Sequence, residues 1–189
     1  VGGARVSTGD WGIGGWKDKA KKTTVGGNNH GGLVEAAGQR YIFYHRHTNG
    51  TEFSRQGCLE KLTVLPDGSM PQVEMTSTGG GAPFEGRGEF PAYLACNLFW
   101  EELRLDRQAP GRPRITQDGR DGDEEPAYVA SIVDGVTVGF KYFDCRGVRR
   151  VTVLTRGYAG GCFEVRTDLG GETLGSIPLG FRNQWTPFT

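Results

Sequence analysis

Short runs of alternating apolar and polar residues, separated by glycine-rich turns, dominate the hydrophobic pattern of this chain. The runs at residues 33–35 and 40–45 flank a turn at residues 37–39 and predict a β-hairpin. An Asn49-Gly50 pair, favoured in tight hairpin turns, follows the second run. Further strand-like runs lie at residues 52–56, 60–65 and 72–76. Together these segments predict one antiparallel sheet of short strands, about the size of a propeller blade.

The pattern changes near residue 100. Residues 90–99 form the longest apolar stretch and are expected to be a buried closing segment. Residues 101–125 are charged and contain two prolines, a composition typical of a linker. The remaining strand-like runs are spaced as in a β-sandwich and lie at residues 128–132, 137–143, 149–156, 162–167 and 173–177. The sequence contains no long amphipathic helical pattern, so the predicted fold class is all-β.

Composition and charge exclude several kinds of partner. Lysine plus arginine and aspartate plus glutamate both number 22, so no net field attracts nucleic acid or an acidic membrane. No apolar run approaches the length of a membrane-spanning helix. A basic run at residues 17–22 is interpreted as a solvated loop, because no glycine-rich phosphate cradle follows it. The 32 scattered glycines agree with many tight turns.

The chain begins with VGGARVSTGDWG, which has neither an initiator methionine nor the basic and apolar regions of a signal peptide. It is therefore interpreted as a processed or excised piece. The four cysteines are spread singly, without the paired spacing of a structural zinc site. Buried free thiols are favoured for Cys58, Cys96, Cys145 and Cys162, and a Cys145–Cys162 disulfide is left open as the alternative.

The segment from residue 28 to residue 56 contains the main candidate chemistry. It places His30 between an asparagine and a glycine, then a hydrophobic strand at residues 41–44, and then Arg55 and Gln56 after a turn. This order predicts a polar site at the end of a sheet. Without further information, a loop-capping role for His30 is the simpler interpretation. His45 and His47 are expected to face solvent or the rim of a pocket.

Residues 28–99 resemble the last blade of family 43 glycoside hydrolases, the five-bladed β-propeller xylosidases and arabinofuranosidases. The matching segments are NNHGGLVE, YIFYHRHTNGTEFSRQGC, QVEMTSTGGG and FPAYLACNL. The segment VGGARVSTGDWG looks like the end of the preceding blade. The resemblance implies that residues 1–103 are the C-terminal portion of a propeller, followed by a linker at residues 104–114.

Residues 115–189 resemble a carbohydrate-binding module of the family 6 type, a β-sandwich of the jelly-roll kind. The matching segments are ITQDGRDG, YVASIVDGVTVGFKYFDCRGV and RGYAGGCFEVRTDLGGETLGSIPL, with an Asn183-Gln184-Trp185 loop. The implied architecture is the last propeller blade joined to this sandwich, with both modules incomplete.

The resemblance also implies roles for individual residues. His30 matches an axial histidine that reaches a bound calcium through water, a role suited to a neutral imidazole. Arg55, with Gln56 beside it, is similar to the arginine that contacts sugar hydroxyls. Tyr128 and Trp185 match an aromatic pair that stacks on a sugar ring, and ordinary core or rim positions are the alternative for both.

Asp118, Asp121 and Asp123 offer oxygen ligands for a structural calcium, but a solvated acidic turn is favoured for them. The catalytic carboxylates of the family lie on earlier blades. Inverting hydrolysis needs an acid and a base about 6.5–9.5 Å apart, and the glutamates expected to match neither are Glu35, Glu52, Glu60 and Glu74. No catalytic residue is therefore expected in this chain.

The expected function is that of the C-terminal portion of an inverting glycoside hydrolase acting on xylan or arabinose-substituted plant polysaccharide. The alternatives are a non-catalytic xylan-binding fragment and, less favoured, a purely structural β fragment. The expected partners are cell-wall polysaccharide and the rest of the propeller, either as a separate chain or as another copy. The expected location is outside a bacterial cell, and neither nucleic acid nor a membrane is expected as a partner.

Overall fold

The computed structural model describes residues 6–7, 31–51, 53–100, 113–120, 123–124, 126–158 and 160–189. Within these ranges the chain is built from β-strands and one three-residue 3-10 helix, Ala92–Leu94, so the all-β prediction is confirmed. The described part of the chain contains no helix long and apolar enough to cross a bilayer. The strands are β1 (Val6–Ser7), β2 (Gly32–Ala36), β3 (Gln39–His47), β4 (Arg55–Leu62), β5 (Val73–Glu74), β6 (Phe84–Glu85), β7 (Asn97–Trp100), β8 (Arg114–Thr116), β9 (Tyr128–Ala130), β10 (Val136–Gly139), β11 (Phe143–Asp144), β12 (Val153–Gly157), β13 (Gly161–Arg166), β14 (Thr173–Leu179) and β15 (Arg182–Phe188).

Strands β2, β3 and β4 form a three-stranded antiparallel sheet, and β3 lies in its centre. The β2–β3 turn is made by Ala37 and Gly38, with φ angles of 51° and 74°, the left-handed geometry that tight hairpin turns require. This hairpin and its turn were predicted. Asn49 and Gly50 also have positive φ, but β3 ends at His47 and β4 begins at Arg55, so they belong to a longer loop.

Strand β5 differs from the prediction, which made the run at residues 72–76 a further strand of the antiparallel sheet. It pairs in parallel with β1, so that Val73 lies opposite Val6. Val73 also joins Ile42 and Leu62 in a buried apolar cluster against the sheet. Parallel pairing between distant segments leaves no local pattern in the sequence, which is why alternation alone assigned β5 to the wrong neighbour.

The chain divides into two compact units, Val1–Asp144 and Cys145–Thr189. Strand β10 pairs with β7, β11 pairs with β6, and β8 pairs with β9, so the described strands up to residue 144 lie in the first unit. The predicted second module at residues 115–189 thus begins inside the first unit. Most of the predicted linker, residues 104–112, lies outside the described residues.

The second unit contains two antiparallel pairs, β12 with β15 and β13 with β14. Strands β12, β13 and β14 correspond to the alternating runs predicted near residues 149–156, 162–167 and 173–177. Strand β15 was not predicted, and it contains residues 183–185, which had been predicted as a loop. The structure contains no closed sheet among its described strands. A propeller blade and a jelly-roll sandwich therefore remain predictions for the two parts of the chain.

All four cysteines are free. Cys96 is buried and Cys58 is half-buried, as expected for core thiols, but Cys145 and Cys162 are both exposed and form no disulfide. The interpretation of free thiols is confirmed for the four residues, and the expectation of burial is wrong for the second pair.

Candidate functional site

The end of the β3–β4 hairpin presents two different chemical faces. Successive side chains of a strand point to opposite sides of a sheet, and Arg46 lies opposite Gln56 while His47 lies opposite Arg55. Arg55 and Gln56 are therefore on opposite faces. The structure does not bring this predicted pair of sugar-contacting residues together on one surface.

Arg46 is the centre of the first face. Its Nε donates to Gln56 Oε1 at 2.8 Å, its Nη1 donates to the carbonyl of Ala95, and its Nη2 donates to the carbonyl of Tyr93. These carbonyls flank the end of the 3-10 helix at residues 92–94. Burial lowers the pKa of the guanidinium below its ordinary value. Within the described residues no carboxylate pairs with Arg46. Its positive charge is instead stabilised by hydrogen bonds to three uncharged oxygens.

Further half-buried polar groups lie on the same face of β3 and β4 as Arg46. Tyr44 lies opposite Cys58, one pair further along the strands from Arg46 and Gln56. Burial raises the pKa of the Tyr44 hydroxyl, of the Cys58 thiol and of the Cys96 thiol. All three groups are therefore neutral near pH 7, and none has the lowered pKa of an activated nucleophile.

The opposite face carries the two histidines. His45 and His47 are half-buried, and their rings stack with centroids 5.6 Å apart and planes 28° from parallel. Arg55 lies opposite His47 and is exposed. The prediction that these histidines face solvent or a pocket rim is only partly met, because both side chains are half-buried and their Nε2 atoms are buried.

Glu60 is a buried carboxylate on the same face as Arg46 and is only 2% exposed. Its Oε1 accepts from the Thr76 backbone N–H at 2.5 Å, and its Oε2 accepts from Thr76 Oγ1 at 2.9 Å. Burial raises the pKa of Glu60 above its ordinary value, although the hydrogen bonds from Thr76 oppose this. Thr76 Oγ1 also accepts from the Gly80 N–H, so Glu60 anchors the loop after β5.

Glu74 is held at the neighbouring strand. Lys141 Nζ donates to Glu74 Oε1 at 2.8 Å, and the Tyr142 hydroxyl donates to Oε2 at 2.6 Å. Partial burial raises the pKa of Glu74, but the hydrogen bonds from Lys141 and Tyr142 outweigh it and leave the pKa below its ordinary value. Glu60 and Glu74 both line an open cleft of about 380 Å³.

The two glutamates have pKa values shifted in opposite directions, which is a property of acid–base pairs in enzymes. Their contacts indicate a different role. Both oxygens of Glu60 are occupied by Thr76, and both oxygens of Glu74 are occupied by Lys141 and Tyr142. These are the contacts of carboxylates that hold neighbouring strands and loops together. Glu35 instead pairs with the exposed Arg40 at 3.0 Å, and Glu52 lies outside the described residues.

The predicted aromatic pair is divided between the two units. Tyr128 lies on β9 in the first unit, where its hydroxyl donates to Asp118 Oδ1 at 3.0 Å. Trp185 lies on β15 in the second unit and is 43% exposed, with the Arg156 guanidinium 4.8 Å from its ring centroid. Trp185 thus keeps an accessible aromatic surface, whereas the polar end of Tyr128 is engaged by a carboxylate.

The predicted metal ligands lie only partly within the described residues. His30 and Asp121 lie outside the described residues, as does the basic run at 17–22. Asp123 Oδ2 accepts from the backbone N–H of Arg120 at 2.6 Å, as in an acidic turn. The described ranges hold no group of three histidine, cysteine or acidic side chains able to bind a metal ion.

Sequence reasoning missed Arg46 and the structural role of Glu60. Both occupy positions that alternate in phase with the buried Ile42 and Leu62, so strand periodicity alone placed them on the core face. The sequence analysis overlooked these two core-facing positions because charged side chains were expected to face solvent.

Comparisons with known proteins give one clear similarity. No family model matches the chain. The whole chain is 55% identical, over an alignment of 195 residues, to a curated protein from Thermoclostridium stercorarium named xylosidase/arabinosidase. The chain spans 41% of the length of that relative. The similarity therefore extends over all of this chain and over less than half of the relative.

Proposed function

We propose that this chain is part of a glycoside hydrolase acting on xylan or arabinose-substituted xylan. The observation that carries the proposal is the 55% identity, along the whole chain, to a protein named xylosidase/arabinosidase. The resemblance of residues 28–99 to the last blade of a family 43 propeller agrees with it. In this proposal the chain contributes substrate contacts, and the acid and base that cleave the bond belong to other parts of a longer protein.

The contacts of the glutamates support this division of labour. An inverting pair must act on opposite sides of a glycosidic bond across a gap of about 6.5–9.5 Å that admits water and sugar. Glu60 is 2% exposed and bonded to Thr76, and Glu74 is bonded to Lys141 and Tyr142. Both carboxylates stabilise the fold, so catalysis by this chain alone is not expected.

The experiment compares turnover with binding. The chain is incubated with aryl xylosides and aryl arabinofuranosides, and its migration is followed in native gels containing arabinoxylan. We expect retarded migration without release of the aryl group. Turnover that disappears in Glu60→Gln or Glu74→Gln would show that the catalytic set lies here after all. Migration unaffected by the polysaccharide would remove the proposed contact role.

A second candidate function is a non-catalytic carbohydrate-binding fragment, and the accessible Trp185 ring favours it. Aromatic faces stack on the apolar C–H faces of pyranose rings, and Trp185 is 43% exposed. In the same gels, Trp185→Ala should weaken retardation more than Tyr128→Ala, because Trp185 is exposed whereas Tyr128 is half-buried. Tyr158→Ala is the matched control, since Tyr158 is an exposed aromatic outside the proposed site. Equal migration of the wild type and the Trp185 variant would exclude this function.

Calcium, the cellular location and the partners belong to the same proposal. A calcium ion held through water by His30 would stabilise the folded protein, so adding calcium should raise the melting temperature. If added calcium leaves the melting temperature of both the wild type and His30→Ala unchanged, that result would argue against the site. A polymeric plant substrate places the protein outside a bacterial cell, with the rest of a propeller supplied by a longer chain or another copy.

A further inference from the structure

We propose that Arg46 is a positioning residue that fixes the side-chain amide of Gln56 as a hydrogen-bond donor toward a sugar hydroxyl. The proposal rests on the proposed function, because it names what Gln56 offers to the saccharide. It follows from the arrangement of three groups on one face of the β3–β4 hairpin: the guanidinium, the amide, and the two carbonyls that flank the end of the 3-10 helix.

The orientation of the Gln56 amide is determined by chemistry. Arg46 Nε–H is only a donor, so the atom 2.8 Å from it must be the carbonyl oxygen of the amide. The opposite end of the same amide, Nε2, then carries two N–H donors. Within the described part of the chain Nε2 makes no hydrogen bond, and the Gln56 side chain is only half-buried. The accessible end of Gln56 is therefore a pure donor.

Arg46 cannot easily turn away from this arrangement. Its Nη1 and Nη2 donate to the carbonyls of Ala95 and Tyr93, and its Nε donates to Gln56, so all three guanidinium nitrogens form hydrogen bonds. A guanidinium with a rigid fork loses little freedom when it forms such bonds, whereas a lysine could satisfy only part of the set. Arg46 and Gln56 are also partners in the pairing of β3 with β4, which fixes the distance between their backbones.

A donor-only amide suits a neutral polyol. Each sugar hydroxyl oxygen accepts hydrogen bonds, and a preoriented donor avoids the entropy of ordering a free glutamine side chain on binding. Arg55 lies on the other face of the hairpin, so it does not share this hydroxyl. Gln56 is thus the contact on the Arg46 face, and Arg46 acts only through it.

The test uses Gln56→Glu, which separates positioning from structure. A carboxylate keeps the acceptor for Arg46 and forms an ion pair with it, so the thermal midpoint should be unchanged or raised. The same change removes both N–H donors. The chain is titrated with an arabinose-substituted xylo-oligosaccharide while side-chain amide signals are followed by ¹⁵N–¹H NMR. We expect the wild-type Gln56 amide signals to shift, and the affinity of Gln56→Glu to fall about tenfold.

Two further variants complete the design. Arg46→Lys should move the Gln56 amide signals toward those of a free side chain and lower the affinity together with the thermal midpoint. Gln72→Glu adds the same negative charge at an exposed position and should leave the affinity unchanged. Unchanged affinity in Gln56→Glu, or oligosaccharide shifts elsewhere but not in the Gln56 amide, would overturn the positioning role and leave the proposed function standing. No shift anywhere in the wild-type spectrum would overturn both.

Discussion

Replacing Glu60 gives the sharpest test of how the first unit is held together. Glu60→Ala would leave the backbone N–H of the half-buried Thr76 without its acceptor, whereas the Thr76 hydroxyl could still donate to Thr78 Oγ1 at 3.0 Å. Each unsatisfied buried donor costs about 1–3 kcal/mol. The expected loss is therefore about 1–3 kcal/mol, a measurable part of the roughly 5–15 kcal/mol that holds a domain folded.

Glu60→Gln is the gentler change and isolates the charge. The amide oxygen keeps an acceptor for the Thr76 N–H, and only the bond from the Thr76 hydroxyl to the second oxygen is lost. Because burial raises the pKa of Glu60 in the folded state above the ordinary value of 4.5, the folded protein holds this proton more tightly than the unfolded chain. The wild type should therefore lose stability relative to Glu60→Gln as the pH rises through the folded pKa, by at most about 1.4 kcal/mol per pH unit.

The assay is urea unfolding followed by tryptophan fluorescence, at half-unit steps from pH 4 to pH 8. Glu74 is the neighbouring carboxylate that raises the pKa of Glu60 by repulsion, and it is present in both proteins, so its own titration largely cancels in the difference. We expect the unfolding free energy of the wild type to fall relative to that of Glu60→Gln as the pH rises. A constant difference across the range would contradict the buried ionisable carboxylate described above.

Three further predictions test other parts of the fold. Gly80→Ala should lower the free energy of unfolding in urea, because the added Cβ would lie 2.4 Å from a backbone nitrogen of β4 and φ is +69°; stability equal to the wild type would contradict this close approach. Lys141→Met should raise the pKa of Glu74 in a ¹³C-detected titration, and the stability that the wild type loses as pH falls through the lowered pKa should shrink; an unmoved pKa would show that the pair is not formed. Cys145 and Cys162 should react with a thiol reagent in the folded protein, ahead of the other two thiols, and four equal rates would contradict the described burial.

The local pattern predicted much of the fold. Alternation over residues 33–45 gave β2 and β3 with their turn, because the apolar period and the left-handed turn residues are both local properties. The runs after residue 128 correspond to the later strands in the same way. What local pattern could not give was the pairing of β5 with β1 and of β10 with β7, since partners distant in sequence carry no local signature.

The candidate site was predicted less completely. Sequence order suggested that Arg55 and Gln56 act together, but one residue of offset along a strand reverses the face. The importance of Arg46 depends on the carbonyls of Tyr93 and Ala95, which lie almost fifty positions away in the chain. Only the folded structure brings that 3-10 turn to the hairpin, and no spacing rule would have identified it.

The central claim is that this chain contacts a xylan-type saccharide without cleaving it. Proton NMR of the chain mixed with an arabinose-substituted xylo-oligosaccharide tests both halves of the claim in one sample. We predict that protein signals, including the Gln56 side-chain amide, shift with added saccharide, and that no new anomeric signals of free arabinose or xylose appear over time. Release of either free sugar, or a protein spectrum that does not respond to the saccharide, would contradict the claim.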